Sequence, residues 1–122
     1  MDNNPERKVF IMRDVYLVYS ITRTKLKTGE FVKDGEYLLG VYERKESAVL
    51  RAKKWGEFLI RHENLDTSRN CGTSLNDFDN FDLFGMVILG QRDVDDDDGE
   101  YLFTDEYRIE IQHSNLFEGD EV

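Results

Sequence analysis

From Val9 to Thr24 the chain is almost continuously aliphatic, aromatic or β-branched: Val9, Phe10, Ile11 and Met12, then Val15 through Tyr19, then Ile21 and Thr22. Side chains of that kind fit a pleated surface buried on much of both faces, so the run predicts a strand. Arg13 and Asp14 interrupt it and place the start of the strand proper near Val15. Lys27 to Glu36 is polar and contains Asp34-Gly35, a pair suited to a type I′ hairpin turn, whose two central residues need positive φ. In that register Lys33 faces Glu36 and Phe31 faces Leu38, pairs that suit each other across two strands. The second strand is then Tyr37 to Tyr42, with Gly40 marking a bulge or a close approach of another element.

Arg44 to His62 changes period. Ala48, Ala52, Trp55, Leu59 and His62 fall three and four residues apart with Val49 beside them, the stripe of an amphipathic helix. Lys45, Arg51, Lys53, Lys54 and Glu57 take the other face. Gly56 weakens the helix interior by about 1 kcal/mol relative to Ala, a cost tolerated where backbone packs closely. Asn64 to Asn80 is rich in Asn, Asp, Thr, Ser and Gly and predicts a long connection. Phe81 to Leu89 is nearly all apolar, the pattern of a central strand, and Gln91 to Glu100 reads as an acidic turn. A last strand begins at Tyr101 to Phe103, where Tyr107, Ile109 and Ile111 alternate with Arg108, Glu110 and Gln112 as one dry and one wet face require.

Strands, one helix, then further strands predict an α+β fold: a four- or five-stranded, mainly antiparallel sheet with one main helix packed on one face. The length of 122 residues suits one domain spanning 1–122, with flexible ends at about 1–8 and 118–122. No run approaches the roughly 18 apolar residues of a membrane span, and the polar start lacks the apolar stretch of a secretion signal. The single cysteine, Cys71, builds neither an internal disulfide nor a Cys/His zinc site, so the expectation is a reducing, cytoplasmic setting.

Charge adds polarity to that picture. Residues 1–61 carry a balance of +4 and residues 62–122 a balance of −14, within a net −10. Such a chain favours oriented contact with a charged partner, either a basic protein or a second copy in a homodimer, because complementary fields steer association. The same acidity argues against direct nucleic-acid binding by the basic helix face.

The segment Val15-Tyr16-Leu17-Val18-Tyr19, followed by Leu38-Leu39-Gly40-Val41-Tyr42 and by Glu46-Ser47-Ala48 entering a helix, resembles a family of small bacterial and phage domains of unknown function. The resemblance covers about the first half of the chain and implies a small α+β fold. It carries over no activity and no functional residue. The chain departs from that pattern in lacking a Ser-rich helix start and in adding the Asn64 to Asn80 connection and an Asp run.

Candidate chemistry is concentrated in acids. Asp93, Asp95, Asp96, Asp97, Asp98 and Glu100 fall within eight residues. Aligning Gly99 with the glycine of an EF-hand loop puts Val94 at the first ligand position and Asp105 at the last, so that calcium site fails and no metal or cofactor is assigned. Asp77, Asp79 and Asp82 alternate with Phe78 and Phe81. Acids spaced along a rigid surface can imitate DNA phosphates and occupy the Lys/Arg groove of a nucleic-acid-binding protein. The expectation is therefore a non-enzymatic interaction protein, a small acidic regulator or inhibitor touching a basic partner through Asp77, Asp79, Asp82, Asp93, Asp95 to Asp98 and Glu100. The alternatives are a small-ligand or divalent-metal module built from the long connection and the acidic turn, and an uncharacterised small enzyme using Cys71, His62 or His113. No catalytic residue is assigned, because no nucleophile, base and orienting group share a motif.

Overall fold

The first and last described strands pair with each other at the centre of the sheet. The computed structural model describes residues 9–82, 84–95 and 102–120, with 9–12, 84, 102 and 116–120 described as backbone. Its longest strands, β1 (Val9–Lys25) and β4 (Leu102–Asp120), pair antiparallel along their whole length, from Val9 opposite Asp120 to Lys25 opposite Thr104. β2 (Phe31–Tyr42) flanks β1 and β3 (Phe84–Asp95) flanks β4, giving one antiparallel sheet in the order β2-β1-β4-β3. Helix α1 (Lys45–His62) lies on one face. The expected α+β architecture is observed.

The core forms between α1 and the alternate residues that face it. Val18 on β1, Val87 on β3, and Ile109 and Ile111 on β4 are buried beneath Ala48, Val49, Ala52 and Leu59. Trp55 reaches over to donate its Nε1 hydrogen to Ser20 Oγ at 3.0 Å. His62, read into the stripe, is instead exposed and stacked on Phe58 with ring centroids 5.0 Å apart. Gly56 is buried, and a Cβ there would stand 2.6 Å from Leu75 Cδ2, so the close packing expected of it is present.

Local readings of the first two strands change. β1 does not wait for Val15: Arg13 and Asp14 pair with Leu116 and Asn115 inside it. The chain reverses at Leu26–Glu30, where Gly29 N–H donates to Leu26 O at 2.9 Å with φ +89°, and not at Asp34-Gly35. Gly35 pairs with Thr22 and Lys33 with Arg23, which leaves Asp34 as the extra residue of a β-bulge inside a continuous β2. The irregularity expected at Gly40 is present: a second bulge falls at Leu39, between Gly40 opposite Val18 and Leu38 opposite Tyr19, and a Cβ on Gly40 would sit 2.6 Å from the Tyr42 hydroxyl.

β3 is an edge strand rather than a central one. It also runs on to Asp95, through the stretch read as a turn. Its sequence is apolar because the Asn64 to Asn80 segment covers its outer edge. Asp66 forms an isolated bridge with Gln91, and Thr73 Oγ1 accepts the Ile88 N–H at 2.9 Å while lying 3.0 Å from the Ile88 carbonyl oxygen. That segment is ordered by a 3-10 helix over Leu75–Asn80, which buries Phe78 completely. Gly90 is needed where it passes: a Cβ would meet the Asp66 carbonyl oxygen at 2.6 Å. β4 continues through Glu118 to Asp120, where a loose tail was expected.

Candidate functional site

The acids singled out in the sequence separate into three groups once folded. Asp77 is the third residue of the 3-10 helix, and its Oδ2 accepts the Ser74 N–H at 2.9 Å in a capping box. Asp79 accepts Lys53 Nζ on both oxygens at 2.9 Å. Asp93, on β3, accepts from Thr104 Oγ1 at 2.8 Å and lies 3.0 Å from Arg69 NH1. The hydroxyl of Thr104, then the Arg69 guanidinium, hold its carboxyl below the ordinary range. These three act within the fold. Asp82 and Asp95 are exposed, and they stand at different places: Asp82 before β3 and Asp95 at its far end. Asp96, Asp97, Asp98 and Glu100 lie outside the described residues, on the connection from β3 to β4.

The other chemical candidates are dispersed. His113 stacks on Tyr16 at 4.7 Å, with Nε2 3.2 Å from Asp14 Oδ1 but not aligned for a hydrogen bond. Cys71 is exposed in the 64–80 segment with φ +53°. A cleft of about 310 Å³ between α1, that segment and β3 is lined by Glu57, Ile60, Thr73, Leu75 and Leu89 among others, with no histidine or cysteine. Among the described residues no three His, Cys, Asp or Glu side chains gather as a metal site, and no helix is long and apolar enough to cross a membrane.

Two features were invisible in the sequence. The face of the sheet away from α1, expected to be wet, buries Glu106 to 3% exposure. Arg108 donates to Glu106 Oε1 at 2.7 Å and Arg23 lies 3.7 Å from it, so two long side chains cross the carboxylate and exclude water. On the helix face Asp105 is also buried. It accepts from Thr24 Oγ1 at 2.8 Å, while Arg92 lies 3.7 Å away and also pairs with Glu63. Both groups tie β4 to its neighbours; the second reaches another cleft of about 310 Å³ through Glu63 and Arg92, which line it with Arg69 and Asp93 among others, and Arg92 Nε is buried there without a hydrogen-bond partner.

The second feature is the unequal treatment of the two sheet edges. β3 is covered, whereas no described segment lies along the outer edge of β2. β2 also holds large apolar side chains in water: Tyr37 is 70% exposed, Leu38 52% and Val41 50%. Two of them lie on the face away from α1, Leu38 opposite Tyr19 and Val41 opposite Leu17, and Tyr37 lies on the α1 side opposite Ser20. On the same strand Lys33 Nζ donates to Glu36 Oε2 at 2.8 Å, and that carboxylate raises the ammonium above its ordinary pKa. An alternation of exposed apolar residues would have marked this surface only if the strand had been known to be an edge. No family model, no curated protein and no solved structure matches the chain.

Proposed function

We propose that this chain is a non-enzymatic interaction protein that meets its partner along β2. The single observation that carries the reading is an edge strand that no described segment covers, bearing Tyr37, Leu38 and Val41 at half exposure or more, in a sheet whose other edge is covered. Unpaired strand edges with apolar side chains are templates for association, through backbone hydrogen bonds for affinity and side chains on alternate faces for specificity. A photo-reactive phenylalanine analogue placed at Tyr37 or Leu38, and at Lys54 on α1 for comparison, tests it in extract of the source cells. Crosslinks concentrated at Tyr37 and Leu38 and lost when Val41 is changed to Lys are expected. Equal labelling at Lys54 overturns the reading.

A second reading places a basic partner on the acidic end of the β3–β4 hairpin. It is supported by the exposure of Asp95 at the head of a connection that holds Asp96, Asp97, Asp98 and Glu100, in a chain of net charge −10. Asp77, Asp79 and Asp93 are exposed as well, but each already has a partner within the fold, so Asp95 to Asp98 and Glu100 are the acids this reading tests. A fluorescent Arg-rich peptide provides the probe. Neutralising Asp95 to Asp98 and Glu100 should weaken its binding at least tenfold. Neutralising five acids elsewhere, at Glu30, Asp34, Glu43, Glu46 and Glu57, should weaken it far less. Equal losses would mean that net charge alone is read.

A further inference from the structure

We infer that the partner of β2 is a second copy of this chain, docked antiparallel about a two-fold axis that passes between Asp34 and Gly35. The inference rests on the reading of β2 as the contact edge and names the occupant. About that axis each residue of one copy meets the residue equally far on the other side of the Asp34–Gly35 bond in its partner. Lys33 then stands opposite Glu36, Val32 opposite Tyr37 and Phe31 opposite Leu38, and each pair occurs twice, because a two-fold contact is isologous.

The register works only because of the bulge. In an unbroken strand, residues an odd number of positions apart point to opposite faces, and none of these pairs could meet side by side. Asp34 is the extra residue against β1, so the facing inverts across it. Phe31, Lys33, Glu36 and Leu38, opposite Lys25, Arg23, Ile21 and Tyr19, therefore share the face away from α1. Val32 and Tyr37, opposite Thr24 and Ser20, share the face toward it. Each of these three pairs lies on one face, apolar with apolar and cation with anion. At the centre Asp34 meets a glycine, which places no side chain against its carboxylate.

Two observations select a second copy over an unrelated strand. The bulge kinks β2, which disfavours pairing with a regular strand, whereas a second copy brings the same kink to the same place. The Lys33–Glu36 ion pair within each chain, 2.8 Å long, becomes half of a ring of four alternating charges across the axis. The apolar side chains brought together, Val32 at 38%, Tyr37 at 70% and Leu38 at 52% exposure, are among those the monomer leaves in water.

The register is testable by charge exchange in the full chain, using sedimentation velocity and native mass spectrometry. Wild type is expected as a dimer at tens of micromolar. Lys33→Glu and Glu36→Lys each set like charges opposite one another twice and should each raise the dimer dissociation constant tenfold or more. Mixed in equal amounts, with one uniformly 15N-labelled, the two variants should pair with each other in preference to themselves, because both contacts then join opposite charges. Thermal unfolding of each variant alone separates loss of association from loss of fold. Wild type that stays monomeric to several hundred micromolar overturns the inference, as does a mixture with no preference for the mixed dimer. If wild type is monomeric while crosslinks from Tyr37 reach a different protein, the interaction reading stands and the second copy is overturned.

Discussion

Asp93 illustrates how far a single residue's role depends on its neighbours. In sequence it opens an acidic run, yet its carboxylate accepts from Thr104 Oγ1 and faces Arg69, and both depress its pKa. A carboxylate whose folded pKa lies below its unfolded value stabilises the fold at pH above the unfolded value, about 3.9 for Asp, and the contribution is lost as pH falls through the folded value. With its side chain 43% exposed, water screens most of that interaction. Asp93→Asn should therefore cost less than about 1 kcal/mol at pH 7. Urea unfolding of the two proteins should converge as pH is lowered below about 3.9. A gap that persists unchanged at acid pH would assign the effect to shape instead of charge. Asp77 and Asp79 teach the same lesson without titration, since a cap and an ion pair to Lys53 give each a partner within the fold that the sequence did not announce.

At the scale of elements, the covering of β3 hangs on few bonds. Thr73→Val removes the hydroxyl that accepts the Ile88 N–H and leaves that edge without its side-chain partner, a loss of about 1–2 kcal/mol. The expected signature in hydrogen exchange is faster exchange at Ile88, with the amides of β1 unchanged; unaltered protection at Ile88 would mean that another group holds the edge. The period of α1, the core alternation of β4 and the close packing at Gly56 were legible, because periodicity and burial are local properties of sequence. The Asp34-Gly35 turn was misread for a physical reason. A hairpin and a two-fold strand pair place the same residues opposite one another, so the Lys33/Glu36 and Phe31/Leu38 complementarity cannot distinguish a fold within one chain from a contact between two. What decided against the hairpin was Gly29, which supplies the positive φ five residues after Thr24. The edge position of β3 was equally hidden, since an apolar run records burial and not which neighbour provides it.

At the scale of the whole molecule, the central pairing joins segments about a hundred residues apart in sequence, Val9 opposite Asp120 and Lys25 opposite Thr104. Residues 9 and 120 are neighbours in space, so a permutant that links them by a short turn and opens the chain at Thr28–Gly29 keeps every strand pair. It should fold to the same circular-dichroism spectrum with stability within about 2 kcal/mol of the parent, since exposed turns tolerate new ends. Failure to fold would show that the β1–β2 turn nucleates the sheet. The covering of β3 has a further consequence for growth. A sheet with two sticky sides can add copies without limit, whereas one with a single sticky side is exhausted by its first encounter. For the pairing proposed along β2, residues 64–80 would act as a stopper: with them in place that assembly would be finite, and a variant that peels them from β3 is expected to polymerise into filaments.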